Sequence, residues 1–237
     1  MILIMDIDRI IQVFVVQLGL GIVYLYIGLR VLKRDRKRLN QMIGGFYISV
    51  FIGMLLNVIY APLETNPAVI ILHLMTDFFL FFPAIFLLIF NLIILKSQKI
   101  IDTKKQILMM LGYGLLLAVI AIIPEGVLIN ESTGWRPVWS LEFILYLMIF
   151  ATLASCIPNF YTSIKIYQAF QDPELKRKWK YYIIGMAANY VLFYGTSIAN
   201  YINVSSFRTT WAMISVLLIL ITSAGVYVGI GQQMSKK

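Results

Sequence analysis

Seven stretches of this chain are almost wholly apolar and close to the length that crosses a bilayer as a helix, roughly 20 residues. They run Ile10 to Leu32, Met42 to Tyr60, Ala68 to Leu95, Ile107 to Ile123, Trp139 to Tyr167, Tyr181 to Tyr201 and Trp211 to Ile230. In hydrocarbon a backbone N–H or C=O finds no water, so a spanning segment must satisfy its own hydrogen bonds as a helix or within a closed barrel. Barrel strands are shorter and alternate apolar with polar residues, whereas these runs are continuously apolar. The expected fold is therefore an all-α membrane protein, a seven-transmembrane helix bundle. With 60% hydrophobic and 13% charged residues, the chain lacks the polar surface of a soluble domain. Its connections are short, so residues 1–237 read as one membrane domain without a soluble enzyme domain.

The charges predict an orientation, because Lys- and Arg-rich loops stay cytoplasmic during insertion. Seventeen of the 20 cationic residues fall in the last turns of the first and fifth runs, after the first, third and fifth runs, or in the C-terminal tail, against only Arg9, Arg136 and Arg208 in the alternate segments. This places the N-terminus outside and the C-terminus in the cytoplasm of a multi-pass cell-membrane protein. The first run is flanked by Asp6 and Asp8 and followed by no small-residue cleavage site, so it reads as a retained helix and not as a signal peptide. Topology absorbs most of the net charge of +9, leaving no reason to expect a nucleic-acid partner. The basic loops are nonetheless candidates for contact with a cytoplasmic signalling partner or anionic lipid, through Arg34, Arg36, Arg38, Lys176, Arg177 and Lys178. Trp139, Trp179 and Trp211, with Tyr181 and Tyr182, sit at run ends and are expected to be interfacial anchors. Two glycosylation triplets, at Asn130 and Asn203, fall on the outer side and are too short a signal to carry a role.

Little catalytic chemistry is visible. The single histidine, His73, cannot build a multi-histidine metal site, and the single cysteine, Cys156, cannot form an intrachain disulfide. No Gly-x-Ser-x-Gly, His-Glu-x-x-His or phosphate-cradling loop is present. No catalytic residue, metal or cofactor is expected. The last run holds no lysine for a retinal Schiff base and no Asn-Pro turn, and the third ends without an acidic-Arg pair. Seven helices alone are therefore only a likeness of shape to rhodopsins and G-protein-coupled receptors.

An ionisable group at the membrane centre costs roughly 2.5 to 3.5 kcal/mol on insertion scales, which makes Asp77 the leading functional residue. It lies about 14 Å along its helix from Ala68, with His73 one turn away on the same face. Asn57, Glu64, Glu142, Ser197 and Asn200 come to a similar level. Asp77, His73, Asn57, Glu142 and Asn200 are the candidate lining of an outward polar cavity for a small-molecule ligand. The competing reading is that Asp77 and His73 join helices by hydrogen bonding. Pro83 and Pro158 are expected to kink their helices, and Gly225 and Gly229 to pack closely within the bundle.

Gly134-Trp135-Arg136-Pro137, followed by a long helix and then by Asp172-Pro173-Glu174-Leu175-Lys176-Arg177, resembles the seven-transmembrane sensor domain at the N-terminus of prokaryotic histidine kinases. Phe81-Phe82-Pro83-Ala84-Ile85-Phe86, with Phe90, is similar to that family's third helix, and the likeness in layout covers nearly the whole chain. It implies detection of an extracellular or membrane-borne signal and relay to a cytoplasmic effector. Only Gly231 and Gln232 to Lys237 follow the last run, so the expected output is a separate protein or a longer receptor of which this is a piece. Two alternatives stand beside sensing. One is a small transporter, in which helices one to three and five to seven share orientation, although the triplets show no internal similarity and no Pro-Gln signature. The other is a non-catalytic assembly subunit.

Overall fold

A computed structural model describes residues 7–34 and 37–231. Each apolar run forms a helix long and apolar enough to cross a membrane: α1 Ile11–Arg34, α2 Arg38–Tyr60, α3 Ala68–Lys96, α4 Thr103–Ile122, α5 Leu141–Ala169, α6 Pro173–Ile202 and α7 Ser205–Ile230. Consecutive helices pack against each other, and the chain is a multi-pass helical membrane bundle. Asp6, Arg36 and Gln232 to Lys237 lie outside the described residues.

Capping explains several helix starts. The Asp102 side chain accepts from the Lys105 N–H at 2.9 Å to open α4, and Asp172 accepts from the Glu174 N–H at 2.7 Å to open α6, with Pro173 in the first turn. The fifth apolar run begins with a different element. Residues Val127–Leu128 (β1) and Val138–Trp139 (β2) form an antiparallel hairpin with Val127 opposite Trp139, so α5 starts at Leu141, capped by Ser140.

α3 is the central helix. Of its most apolar window 56% is buried inside the protein, against 22% for α1 and for α4. It packs on α2, α4 and α5, and its Phe81 ring stacks on Phe193 of α6 at 4.7 Å. Leu108, Leu115 and Ile122 of α4 and Met213 and Leu217 of α7 are exposed, as expected where acyl chains replace water.

Pro83 interrupts α3 at Phe82. A proline has no N–H to give the carbonyl four residues back, here Phe79. The Ser49 hydroxyl of α2 donates to that carbonyl at 3.2 Å, and the Tyr113 hydroxyl of α4 donates to the Phe81 carbonyl at 3.2 Å. The break in α3 thus becomes a set of ties to both neighbours. Before Pro158, α5 widens into a π-helical turn at Thr152–Cys156.

The tryptophans correct one expectation. Trp139 and Trp179 are not interfacial anchors but are buried, 2% and 3% exposed, and Tyr182 is fully buried. The indole of Trp179 donates to the Ser163 carbonyl at 2.9 Å, and its ring stacks on Phe90. An indole whose N–H finds a protein acceptor loses its reason to sit at the wet interface.

Glycines bring α6 and α7 into backbone contact. A Cβ at Gly185 would lie 2.8 Å from the Val226 nitrogen, and one at Gly229 would lie 2.6 Å from the Tyr182 nitrogen. Gly225 and Gly229 therefore pack within the bundle. Gly185→Val is expected to cost about 1–3 kcal/mol through overpacking, read as a lower thermal midpoint in detergent. Gly112→Val, where a Cβ meets nothing within 4 Å, serves as the control. Equal midpoints for the two variants would contradict the close α6–α7 crossing.

Candidate functional site

His73 and Asp77 lie one turn apart on the inward face of α3, 2% and 5% exposed. The imidazole is engaged at both nitrogens. The hydroxyl of Tyr60, the last residue of α2, is 3.0 Å from Nδ1, and the Trp139 indole N–H of β2 donates to Nε2 at 3.0 Å. An indole nitrogen can only donate, so Nε2 is the acceptor. The neutral ring then carries its proton on Nδ1 and donates it to the Tyr60 hydroxyl oxygen. Edge contacts from the Tyr60 ring and packing of Trp139 on Phe143 enclose the imidazole.

Asp77 Oδ2 lies 3.1 Å from the same Nε2. The alignment is not that of a hydrogen bond, and this buried oxygen has no hydrogen-bond partner among the described residues. Nε2 has a single in-plane lone pair, which Trp139 already occupies. A carboxylate at this distance would set one acceptor against another, whereas a carboxyl hydroxyl would compete with the indole for the lone pair.

The hairpin that carries Trp139 is held from several directions. Asn130 caps a short turn at Glu131–Thr133, and Gly134 and Trp135 follow with φ of 57° and 55°. A left-handed φ is unrestricted at Gly134 and costs energy at Trp135. The Arg9 guanidinium donates to the Gly134 and Trp135 carbonyls at 3.3 and 2.9 Å, and the Asn66 amide donates to the Ile129 carbonyl at 3.0 Å. Arg208 of α7 donates to the Pro137 carbonyl and, at 3.1 Å, to the Ala199 carbonyl of α6. Two of the three arginines outside the basic loops therefore fasten this hairpin.

The structure brings together His73 and Asp77 and gives the other three expected cavity residues different neighbours. The half-buried Asn57 donates its amide to Gln17 of α1. Glu142 is exposed in the first turn of α5. Asn200 is half-buried, and its backbone carbonyl accepts from Arg208 at 3.5 Å. Tyr60 and Trp139 close over His73, and both members of the pair are buried. Among the described residues no group of three or more His, Cys, Asp or Glu is placed to hold a metal ion.

A second buried polar cluster lies toward the basic end. Asn91 of α3 donates to Asn159 Oδ1 and to Ser163 Oγ of α5, both at 3.0 Å, and its own oxygen accepts from the Tyr182 hydroxyl of α6 at 2.8 Å. Asn159 donates to the Ala84 carbonyl at 3.1 Å and to the Tyr190 hydroxyl at 2.8 Å. These bonds tie α3, α5 and α6 together. Sequence reasoning passed over both asparagines, though an amide in the middle of an apolar run is a sufficient signal, since it must find partners.

At the basic end, Arg34 donates to the Tyr227 hydroxyl at 2.7 Å, and Arg38 donates to Gln41 at 3.0 Å and to Thr103 at 2.8 Å. Lys178 pairs with Glu174 at 2.6 Å, Lys176 lies over the Tyr167 ring, and Arg177 is exposed. Arg36 is outside the described residues.

Compared with models of known protein families, with curated proteins and with solved structures, the chain matches none.

The crowded lone pair predicts opposite effects on stability. Trp139→Phe keeps an aromatic ring but removes the indole donor to Nε2, at a cost of about 0.5–1.5 kcal/mol. Asp77→Asn removes the acceptor-against-acceptor contact that a carboxylate would make with Nε2, and is expected to leave the thermal midpoint unchanged or raise it. A lower midpoint for Asp77→Asn would contradict this account of the pair.

Proposed function

We propose that this protein is a membrane sensor of the cell membrane. In this reading the His73–Asp77 pair receives a signal at the extracellular end, and the helices relay it to a separate effector at the cytoplasmic end. The observation that carries the reading is the buried, unpartnered Asp77 oxygen 3.1 Å from the only histidine of the chain. Such a group costs stability and returns none, which is the pattern of a site kept for function. A proton or a small hydrogen-bond-donating ligand has the chemistry that this oxygen lacks.

The route to the far end follows α3, which carries His73 and Asp77 above Pro83 and Asn91 below it. A displacement of the upper segment would be passed by the Asn91 cluster to α5 and to α6, whose first turns carry the basic residues Lys176, Arg177, Lys178 and Lys180. The likeness of Gly134 to Pro137 and Asp172 to Arg177 to sensor domains of histidine kinases supports the same reading. The closed packing of Tyr60 and Trp139 over His73 favours sensing over carriage of a solute.

The orientation rests on the charge asymmetry. Reporter fusions after Lys105 and after Gln171 are expected to read cytoplasmic, and one after Glu131 external; the reverse pattern would reject it.

The relay is tested with spin labels at Lys104→Cys and Arg177→Cys, in protein whose single cysteine is replaced by Cys156→Ser. In proteoliposomes, acidifying the side that carries the hairpin is expected to shift the distance between the labels, and Asp77→Asn is expected to abolish the shift. A distance that does not respond in the unaltered protein would remove the proton-driven relay.

A further inference from the structure

Lys176 and Lys180 lie one turn apart on the same face of α6, and both ammonium groups approach the Tyr167 ring of α5, at 5.9 and 5.8 Å from its centroid. Two like charges converge here, and among the described residues neither pairs with a carboxylate. The adjacent acid, Glu174, is engaged by Lys178 at 2.6 Å on another face of the helix. The ring attracts each ammonium, but their mutual repulsion opposes gathering both around one half-buried tyrosine. An anion between them removes that cost.

The surface beneath the lysines is apolar. Following α6 away from Lys180, Ile184 and Val191 are 53% and 49% exposed, and the facing side of α5 presents Ile164 at 48%. The antiparallel ends of α5 and α6 thus border a strip that is cationic and aromatic where headgroups lie and apolar where acyl chains lie. Tyrosine suits the boundary, because its hydroxyl can reach a headgroup while its ring covers the chain.

We propose that this strip binds one anionic phospholipid, with its phosphate between Lys176 and Lys180 over Tyr167 and an acyl chain along Ile164, Ile184 and Val191. The occupant is a lipid of the surrounding leaflet, since the apolar strip continues directly from the cationic end and a soluble phosphate would use only half of the site. The site is independent of the sensor reading. Bound there, the lipid would brace the α5–α6 connection.

Native mass spectrometry of the full chain, purified in detergent and titrated with phosphatidylglycerol or phosphatidylcholine, tests the proposal. One phosphatidylglycerol is expected to bind more tightly than the rest, in preference to phosphatidylcholine, and soluble glycerol phosphate is expected not to displace it. K176Q/K180Q is expected to weaken this binding about twenty-five-fold, at roughly fivefold for each lysine near an anionic surface. K176R/K180R is expected to retain it, and it keeps the test decisive if the glutamine variant fails to fold. K99Q/K104Q removes the same charge from another basic loop and is expected to leave the affinity near that of the unaltered protein. Equal losses in the two glutamine variants, equal binding of the two lipids, or displacement by glycerol phosphate would overturn the proposal.

Discussion

Hydrocarbon offers no hydrogen bonds, so each polar group that this chain carries into the membrane must find its partner inside the protein. That demand organises the bundle. The carbonyls around Pro83 are met by Ser49 and Tyr113, from the two helices that flank α3. The amides of Asn91 and Asn159 are met by Ser163, Tyr182 and Tyr190, which fixes α3 against α5 and α6. Tyr24 and Tyr47 give their hydroxyls to the Ile219 and Ser223 carbonyls and so hold α7 to α1 and α2. Apolar packing alone would leave the helices free to slide, since lipid tails are as apolar as leucine. The polar bonds set register.

Against this background the His73–Asp77 pair stands out. His73 is satisfied at both nitrogens, by residues from α2 and β2, which makes it the joint between the bundle and the hairpin that covers it. Asp77 is not satisfied in this way: it is an ionisable group with an oxygen buried beside a nitrogen whose lone pair is taken. The two polar clusters on α3 therefore differ in kind. The Asn91 cluster has its bonds made and acts as a fixed tie, whereas the His73 cluster has one group too many for its acceptor and can exist in more than one hydrogen-bonding arrangement.

The seven helices were legible because an apolar run of spanning length admits one secondary structure, and the start of α6 was legible because Asp172, Pro173 and Glu174 each act locally. The pairing of His73 with Asp77 followed from their spacing on a helix. The hairpin was not legible: its strands have two residues each, too few for any alternation to register, and they are held by arginines distant in sequence. Trp139 and Trp179 misled for a related reason. A tryptophan near a helix end suits the interface or the core equally, and only the partner of its N–H decides between them. Glu142 and Asn57 were grouped with Asp77 by depth alone, but depth does not fix the direction in which a side chain points. Gln17, the partner of Asn57, drew no attention because the first helix was read only for its apolarity.

The central claim is that the only histidine of the chain is a neutral, doubly bonded joint with Nε2 accepting from the Trp139 indole. Because there is only one, selective ¹⁵N-histidine labelling and solid-state NMR in lipid bilayers report on His73 without assignment. The account predicts a protonated Nδ1, an unprotonated Nε2, and an Nε2 resonance that shifts in Trp139→Phe. A proton on Nε2, or a spectrum that Trp139→Phe leaves unchanged, would contradict it.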